Sequence, residues 1–174
     1  MLAGIGLVFL VVYLTNREHW WALIPGGTML MVAMLIAGTA TPIAEEFWVA
    51  LMLAGIGAVF GVVYLARRNN WWAIIPAGAL LGTGVTVLFA GMQLPDALEV
   101  RLLGGSFLLI MGLTFGALWL LREEHPTRWA KYPAVAVTSV GALVMLIGEN
   151  AEYVWPLILI AVGAWLLWRG QMRS

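Results

Sequence analysis

Seven apolar stretches, parted by short polar clusters, constrain this chain more than any other feature: approximately 1–14, 20–38, 47–65, 71–91, 100–121, 132–148 and 154–168. A helix rises about 1.5 Å per residue, so crossing roughly 30 Å of hydrocarbon takes about 20 residues. Most of the stretches reach or approach that length. The first and last are short, which predicts either little tilt and a pinched bilayer or a natural chain that began before Met1. The runs are continuous, whereas barrel strands alternate lipid-facing and lumen-facing positions, so helices are expected. Glycine and proline inside the runs are compatible with membrane helices, because neighbours re-satisfy the backbone.

Composition identifies the solvent. Hydrophobic residues make up 63% of the 174 and charged residues 10%, against roughly half and a quarter in a soluble domain. Nine basic and nine acidic side chains are too few to cover the wet surface of a domain this size. Lipid is the expected medium. Net charge is zero and the basic residues form no long run, which argues against nucleic acid as a partner. Cysteine is absent, which excludes disulfides and thiolate metal sites. The opening Met1-Leu2-Ala3-Gly4 lacks the basic leader of a signal peptide and reads as part of the first membrane segment.

The most specific signal is internal repetition. Met1-Leu-Ala-Gly-Ile-Gly6 recurs as Met52-Leu-Ala-Gly-Ile-Gly57, Val11-Val12-Tyr13-Leu14 as Val62-Val63-Tyr64-Leu65, and Trp20-Trp21-Ala22 as Trp71-Trp72-Ala73. Pro25 and Gly27 return in register as Pro76 and Gly78. A weaker third copy keeps Phe115, Trp119 and Leu120 where the first has Phe9, Tyr13 and Leu14. After two extra turn residues it also keeps Trp129 and Pro133 where the first has Trp21 and Pro25. A near-continuous match that includes rare tryptophan pairs is not chance. The reading is an all-α, polytopic transmembrane bundle of about seven helices built from tandem two-helix hairpins. It forms one membrane domain over 1–174, with units at about 1–46, 47–98 and 99–152 and a half repeat at 153–174. Each unit crosses twice, so successive units run parallel, unlike the inverted repeats of many alternating-access transporters.

Seven crossings sort the loops into two sets. Arg17, Arg67, Arg68, Arg122, Arg128, Lys131, Arg169 and Arg173 fall on one side and Arg101 alone on the other. The basic side is expected in the cytoplasm, with the N-terminus outside and the C-terminus cytoplasmic. The clean split also supports the count, since a missed crossing would mix the charges. Six crossings with one re-entrant or interfacial end segment is the alternative. Trp20, Trp21, Trp71, Trp72, Trp129 and Trp168 gather near the basic ends and Trp48 and Trp155 near the others, which reads as an aromatic belt in preference to a ligand-stacking groove.

The remaining motifs read as structural. Gly57 and Gly61, Gly78 and Gly82, and Gly112 and Gly116 each place two glycines on one helix face, as close helix packing requires. Packing within the chain is preferred there to a homo-oligomer interface. Pro25, Pro76 and Pro133 sit near the start of the second helix of each pair, where a missing N–H costs little. Thr28, Thr83, Thr86, Ser106, Thr114, Thr138 and Ser139 are expected to bond within their own helix or to a neighbour, in preference to lining a solute path. No ionisable residue lies near a segment centre, where proton relays and charged-substrate sites need one. His19 and His125 lack metal-ligand spacing and read as solvated turn residues. Glu45-Glu46 and the Glu149/Glu152 pair have no nucleophile or base beside them and read as solvated helix starts favoured by the dipole. No catalytic, cofactor-binding or metal residue is assigned.

The unit from Tyr64-Leu65 through a basic turn to Trp71-Trp72-Ala73-Ile74-Ile75-Pro76 resembles repeats of uncharacterised multi-pass bacterial membrane proteins, over most of the chain. Trp155-Pro156 and the apolar run to Gly163 resemble membrane segments of bacterial cell-envelope stress proteins. The first resemblance implies a bacterial membrane setting and no reaction; the second adds an envelope context. The expectation is a non-enzymatic component of the bacterial inner membrane, structural or partner-binding, with the lipid bilayer and a homo-oligomer or membrane-protein partner as its contacts. The alternative is a transporter or channel for a small neutral or apolar solute.

Overall fold

A computed structural model of the chain describes residues 1–148 and Ile160. The described residues form no strand and fold mainly into six α-helices: α1 Leu2–Thr15, α2 Leu23–Gly38, α3 Glu45–Ala66, α4 Ile74–Ala90, α5 Asp96–Leu120 and α6 Lys131–Ile147. Short 3-10 turns at Trp20–Ala22, Trp71–Ala73 and Arg128–Ala130 lead into α2, α4 and α6. The apolar stretch at 154–168 lies outside the described residues, as do Glu149, Glu152, Trp155, Trp168, Arg169 and Arg173.

Among the described residues, with the 3-10 turns counted, five helices are long and apolar enough to cross a membrane, and α1 is a shorter apolar helix of 14 residues. At 22 residues α3 spans about 33 Å, and α1 about 21 Å. The outward surface matches a lipid solvent: Leu14 is 65% exposed, Leu120 69% and Leu146 77%. Side chains of this kind distributed over every helix would form large apolar patches in water.

Helix starts follow local chemistry. α3 opens with Glu45 and Glu46 in its first turn, and α5 with Asp96 and Glu99. Both begin a few residues before the apolar runs do, because carboxylates are stabilised by the positive helix N-terminus. Pro25, Pro76 and Pro133 are each the third residue of their helix, where no intrahelical partner is forfeited.

The extensive helix contacts all join consecutive helices, from α1 on α2 through α5 on α6. The packing is therefore an ordered row, stabilised mainly by nearest-neighbour interfaces. Small residues set the spacing. A Cβ on Gly6 would lie 2.9 Å from the Gly26 carbonyl oxygen and 3.0 Å from Leu30, so α1 and α2 touch through backbone. In the next pair, a Cβ on Gly57 would lie 3.0 Å from the Ala77 carbonyl oxygen and 3.2 Å from Leu81. In α5, one on Gly112 would run into Thr138 of α6. Contacts between pairs also recur. Gly27 of α2 seats Val59 of α3, and Gly78 of α4 seats Thr114 of α5. One turn further along, Met31 of α2 fills the space over Gly55 of α3, whereas Gly82 of α4 faces Ile110 of α5, with the Phe107 ring nearer still at 3.1 Å from a built Cβ. Large and small have changed sides, and the gap stays filled.

Of the three glycine pairs singled out in the sequence, only Gly78 and Gly82 both meet a neighbouring helix. Gly61 and Gly116 have nothing within 4 Å of a built Cβ. Their spacing therefore does not report a shared packing face. The packing reading holds for Gly57, Gly78, Gly82 and Gly112, and the contacts that carry it lie within the chain.

Candidate functional site

The three turns that join α1 to α2, α3 to α4 and α5 to α6 form the basic end of the row. Asn16 and Arg67 end α1 and α3 in extended conformation, with φ −145° and −142°. Three residues on, His19 and Asn70 donate their backbone N–H to the carbonyls of Asn16 and Arg67 at 3.0 and 2.9 Å, and Ala22 and Ala73 donate to His19 and Asn70 at 3.0 Å. These bonds build the turn. In the third, Ala130 donates to Thr127 at 3.0 Å, and the Thr127 side chain is fully buried beneath it.

Each turn is clasped by aromatic rings. Phe9 meets Trp21 edge-to-face at 6.3 Å, Phe60 meets Trp72 at 6.3 Å and Phe115 meets Trp129 at 6.0 Å. Trp20 also meets Trp72 at 6.3 Å, joining the first turn to the second. Beneath lies a small core of Leu23, Val63 and Ala73, with Leu10, Tyr13, Phe60 and Tyr64 packed on it. The tryptophans here pack on the turns and still face outward in part: Trp21, Trp72 and Trp129 keep 48%, 38% and 44% of their surface exposed.

Arginine recurs with the rings. Arg17 lies over Tyr13 at 5.5 Å, Arg68 over Tyr64 at 4.8 Å and Arg122 over Trp119 at 4.3 Å. A guanidinium held over an aromatic face is attracted by the ring quadrupole. Arg122 is fixed further by donating from Nη1 to the Trp119 carbonyl at 3.3 Å.

The third turn then departs from the first two. Arg128 stands where they have Trp20 and Trp71, Lys131 where they have Leu23 and Ile74, and Tyr132 where they have Ile24 and Ile75. Arg122, Glu123, Arg128, Lys131 and Trp119 line a cavity of about 350 Å³, in which three cations face one carboxylate. It adjoins an apolar groove of about 530 Å³ lined by Trp119, Lys131, Tyr132, Ala134, Val135 and Ala136. Along the sequence Arg122, Arg128 and Lys131 mark sidedness alone, and their clustering emerges only in the fold. The signal available was the replacement of apolar residues by cations within one turn.

The other singled-out residues are dispersed. Thr28 donates to the Ile24 carbonyl at 2.8 Å, Thr83 to Ala79 at 2.9 Å, Thr86 to Gly82 at 3.0 Å and Thr114 to Ile110 at 2.7 Å. All four bond to the preceding turn of their own helix, as expected. Thr86 also reaches Ser106 across α4 and α5 at 3.4 Å. His19 is exposed beside Trp21. His125 differs from the expected solvated residue: it is half-buried, with a buried Nε2 that has no hydrogen-bond partner. Among the described residues no group of three or more His, Asp or Glu side chains is arranged to hold a metal ion. At the opposite end Glu45 and Glu46 are exposed, Trp48 donates from Nε1 to Thr41 Oγ1 at 3.0 Å, and Arg101 lies within α5, packed against Gly148. No family model, curated protein sequence or solved structure matches the chain.

Proposed function

We propose that this chain is a structural or partner-binding component of a bacterial inner membrane, without enzymatic activity. In this reading it makes seven crossings in tandem two-helix hairpins, with the basic turns in the cytoplasm and the N-terminus outside. The recurrence of one contact set along the row carries the reading: the glycine seats at Gly6 and Gly57, the seats at Gly27 and Gly78, and the ring pairs at Trp21, Trp72 and Trp129. Interfaces filled by side chains against backbone favour a rigid array over a mobile gate. The absence of ionisable residues from the middles of α1 to α6 points the same way, since coupled transport and membrane proton transfer use such groups. The seventh crossing rests on the apolar length of 154–168, the orientation on the arginine bias, and the bacterial setting on the resemblance of the unit at 64–76.

Liposomes reconstituted with increasing amounts of the full chain test the reading. Stopped-flow light scattering would follow entry of glycerol and urea. The proposal expects shrink–swell rates equal to those of protein-free liposomes at every protein-to-lipid ratio. A rate that climbs with protein amount would establish a solute path and replace the scaffold reading.

A further inference from the structure

We propose that the groove between α5 and α6 binds one anionic phospholipid. Its phosphate is held by Arg122, Arg128 and Lys131, and an acyl chain lies along Tyr132, Val135 and Ala136 beside Trp119. The inference uses the membrane placement proposed above and no other part of that reading. Two observations meet at this place. The polar cavity has three cations against the single carboxylate of Glu123, an excess of positive charge that calls for an anion. The adjoining groove is almost wholly apolar and shares Trp119 and Lys131 with it. An anionic head joined to a hydrocarbon tail matches both halves.

Comparison within the chain sharpens the argument. The first two turns have the same 3-10 turn and the same ring clasp, yet they place Trp20, Leu23 and Ile24, or Trp71, Ile74 and Ile75, where the third has Arg128, Lys131 and Tyr132. Since the first two turns form with apolar residues at these positions, the fold does not require cations there. Val135 likewise replaces the glycine found at Gly27 and Gly78, and it is 69% exposed along the groove. Arg122 is pre-positioned by the Trp119 ring and carbonyl, and the Lys131 ammonium lies 4.8 Å from the Tyr132 ring. Less side-chain entropy is therefore lost when a phosphate arrives. Basic pockets between membrane helices are a recognised means of holding anionic headgroups.

Native mass spectrometry of the full chain in non-ionic detergent, titrated with phosphatidylglycerol or phosphatidylcholine, tests the proposal. One phosphatidylglycerol should bind, and clearly more tightly than phosphatidylcholine. Each cation near the phosphate strengthens binding about fivefold, so R122Q/R128Q/K131Q should weaken it by about a hundredfold. R17Q/R67Q/R68Q, which removes three charges from the other turns, should leave it within about twofold. R128W/K131L, which installs the residues of the first turn, carries the test if the triple variant fails to fold. Equal retention of the two lipids, equal losses in the two triple variants, or unchanged binding in R128W/K131L would overturn the site. So would displacement by inorganic phosphate at the lipid's own concentration, or a bound acidic peptide in place of lipid. The chain would still fractionate with membranes in each of those cases, so failure here is distinct from failure of the membrane placement.

Discussion

Gly112 and Gly116 are four residues apart on α5, and a sequence motif treats them alike; their surroundings predict opposite responses to alanine. A Cβ at Gly112 would lie 2.8 Å from the Thr138 backbone nitrogen and 3.0 Å from its Cα. Comfortable contact begins at about 3.5 Å, so the Thr138 hydroxyl must swing aside and α6 withdraw by roughly 0.7 Å along that seam, forfeiting between about a quarter and a half of each contact's well depth. Such overpacking costs about 1–3 kcal/mol, and the better helix propensity of alanine offsets about 0.5–1 kcal/mol of it. Gly112→Ala should therefore destabilise the chain by about 1–2 kcal/mol. At Gly116 a Cβ meets nothing within 4 Å, so Gly116→Ala should keep its propensity gain of about 0.5–1 kcal/mol. Unfolding of the detergent-solubilised chain by sodium dodecyl sulfate, followed by far-ultraviolet circular dichroism, reads the two shifts. Equal shifts would refute the reasoning. A larger loss at Gly116 would refute it differently, by showing that the open side of α5 is covered by a protein partner.

The exchanged pair on the α4–α5 seam gives a compensation test. Gly82→Met should cost about 1–3 kcal/mol and Ile110→Gly about 2–5 kcal/mol. The double variant, which approaches the Met31-over-Gly55 arrangement with Phe107 still beside Gly82, should recover at least about 1 kcal/mol of their sum; strict additivity would show that the two side chains do not share one space. Phe60→Leu should lose the edge-to-face term with Trp72, about 0.5–1.5 kcal/mol beyond its area. A double-mutant cycle with Trp72→Leu measures that term, and zero coupling would remove the clasp from the account. Because the chain has no cysteine, a single cysteine at Asp96 should react with a membrane-impermeant maleimide added to intact cells, and one at Asn69 should not. The reverse pattern would invert the proposed orientation.

Element type and number along 1–148 were legible in the sequence because they follow from local quantities. Apolar run length sets a membrane helix, carboxylates such as Glu45 and Asp96 mark its start, and Pro25, Pro76 and Pro133 fall in first turns, where proline costs least. The tandem matches also told which positions correspond, so Gly6 and Gly57 could be aligned. What those correspondences touch was decided in three dimensions. Four-residue spacing could not separate Gly112, pressed on Thr138, from Gly116, which faces open space, because the distinction depends on how far α6 lies from each. Nor could spacing reveal that Met31 and Gly55 exchange sizes with Gly82 and Ile110, since that relation exists only across a helix pair. Arg122, Arg128 and Lys131 are separated by a turn in the chain and read there as sidedness alone. The turn that folds α6 back on α5 lines one cavity with all three, and a charge cluster of that kind is a property of distance in space, which chain order does not contain.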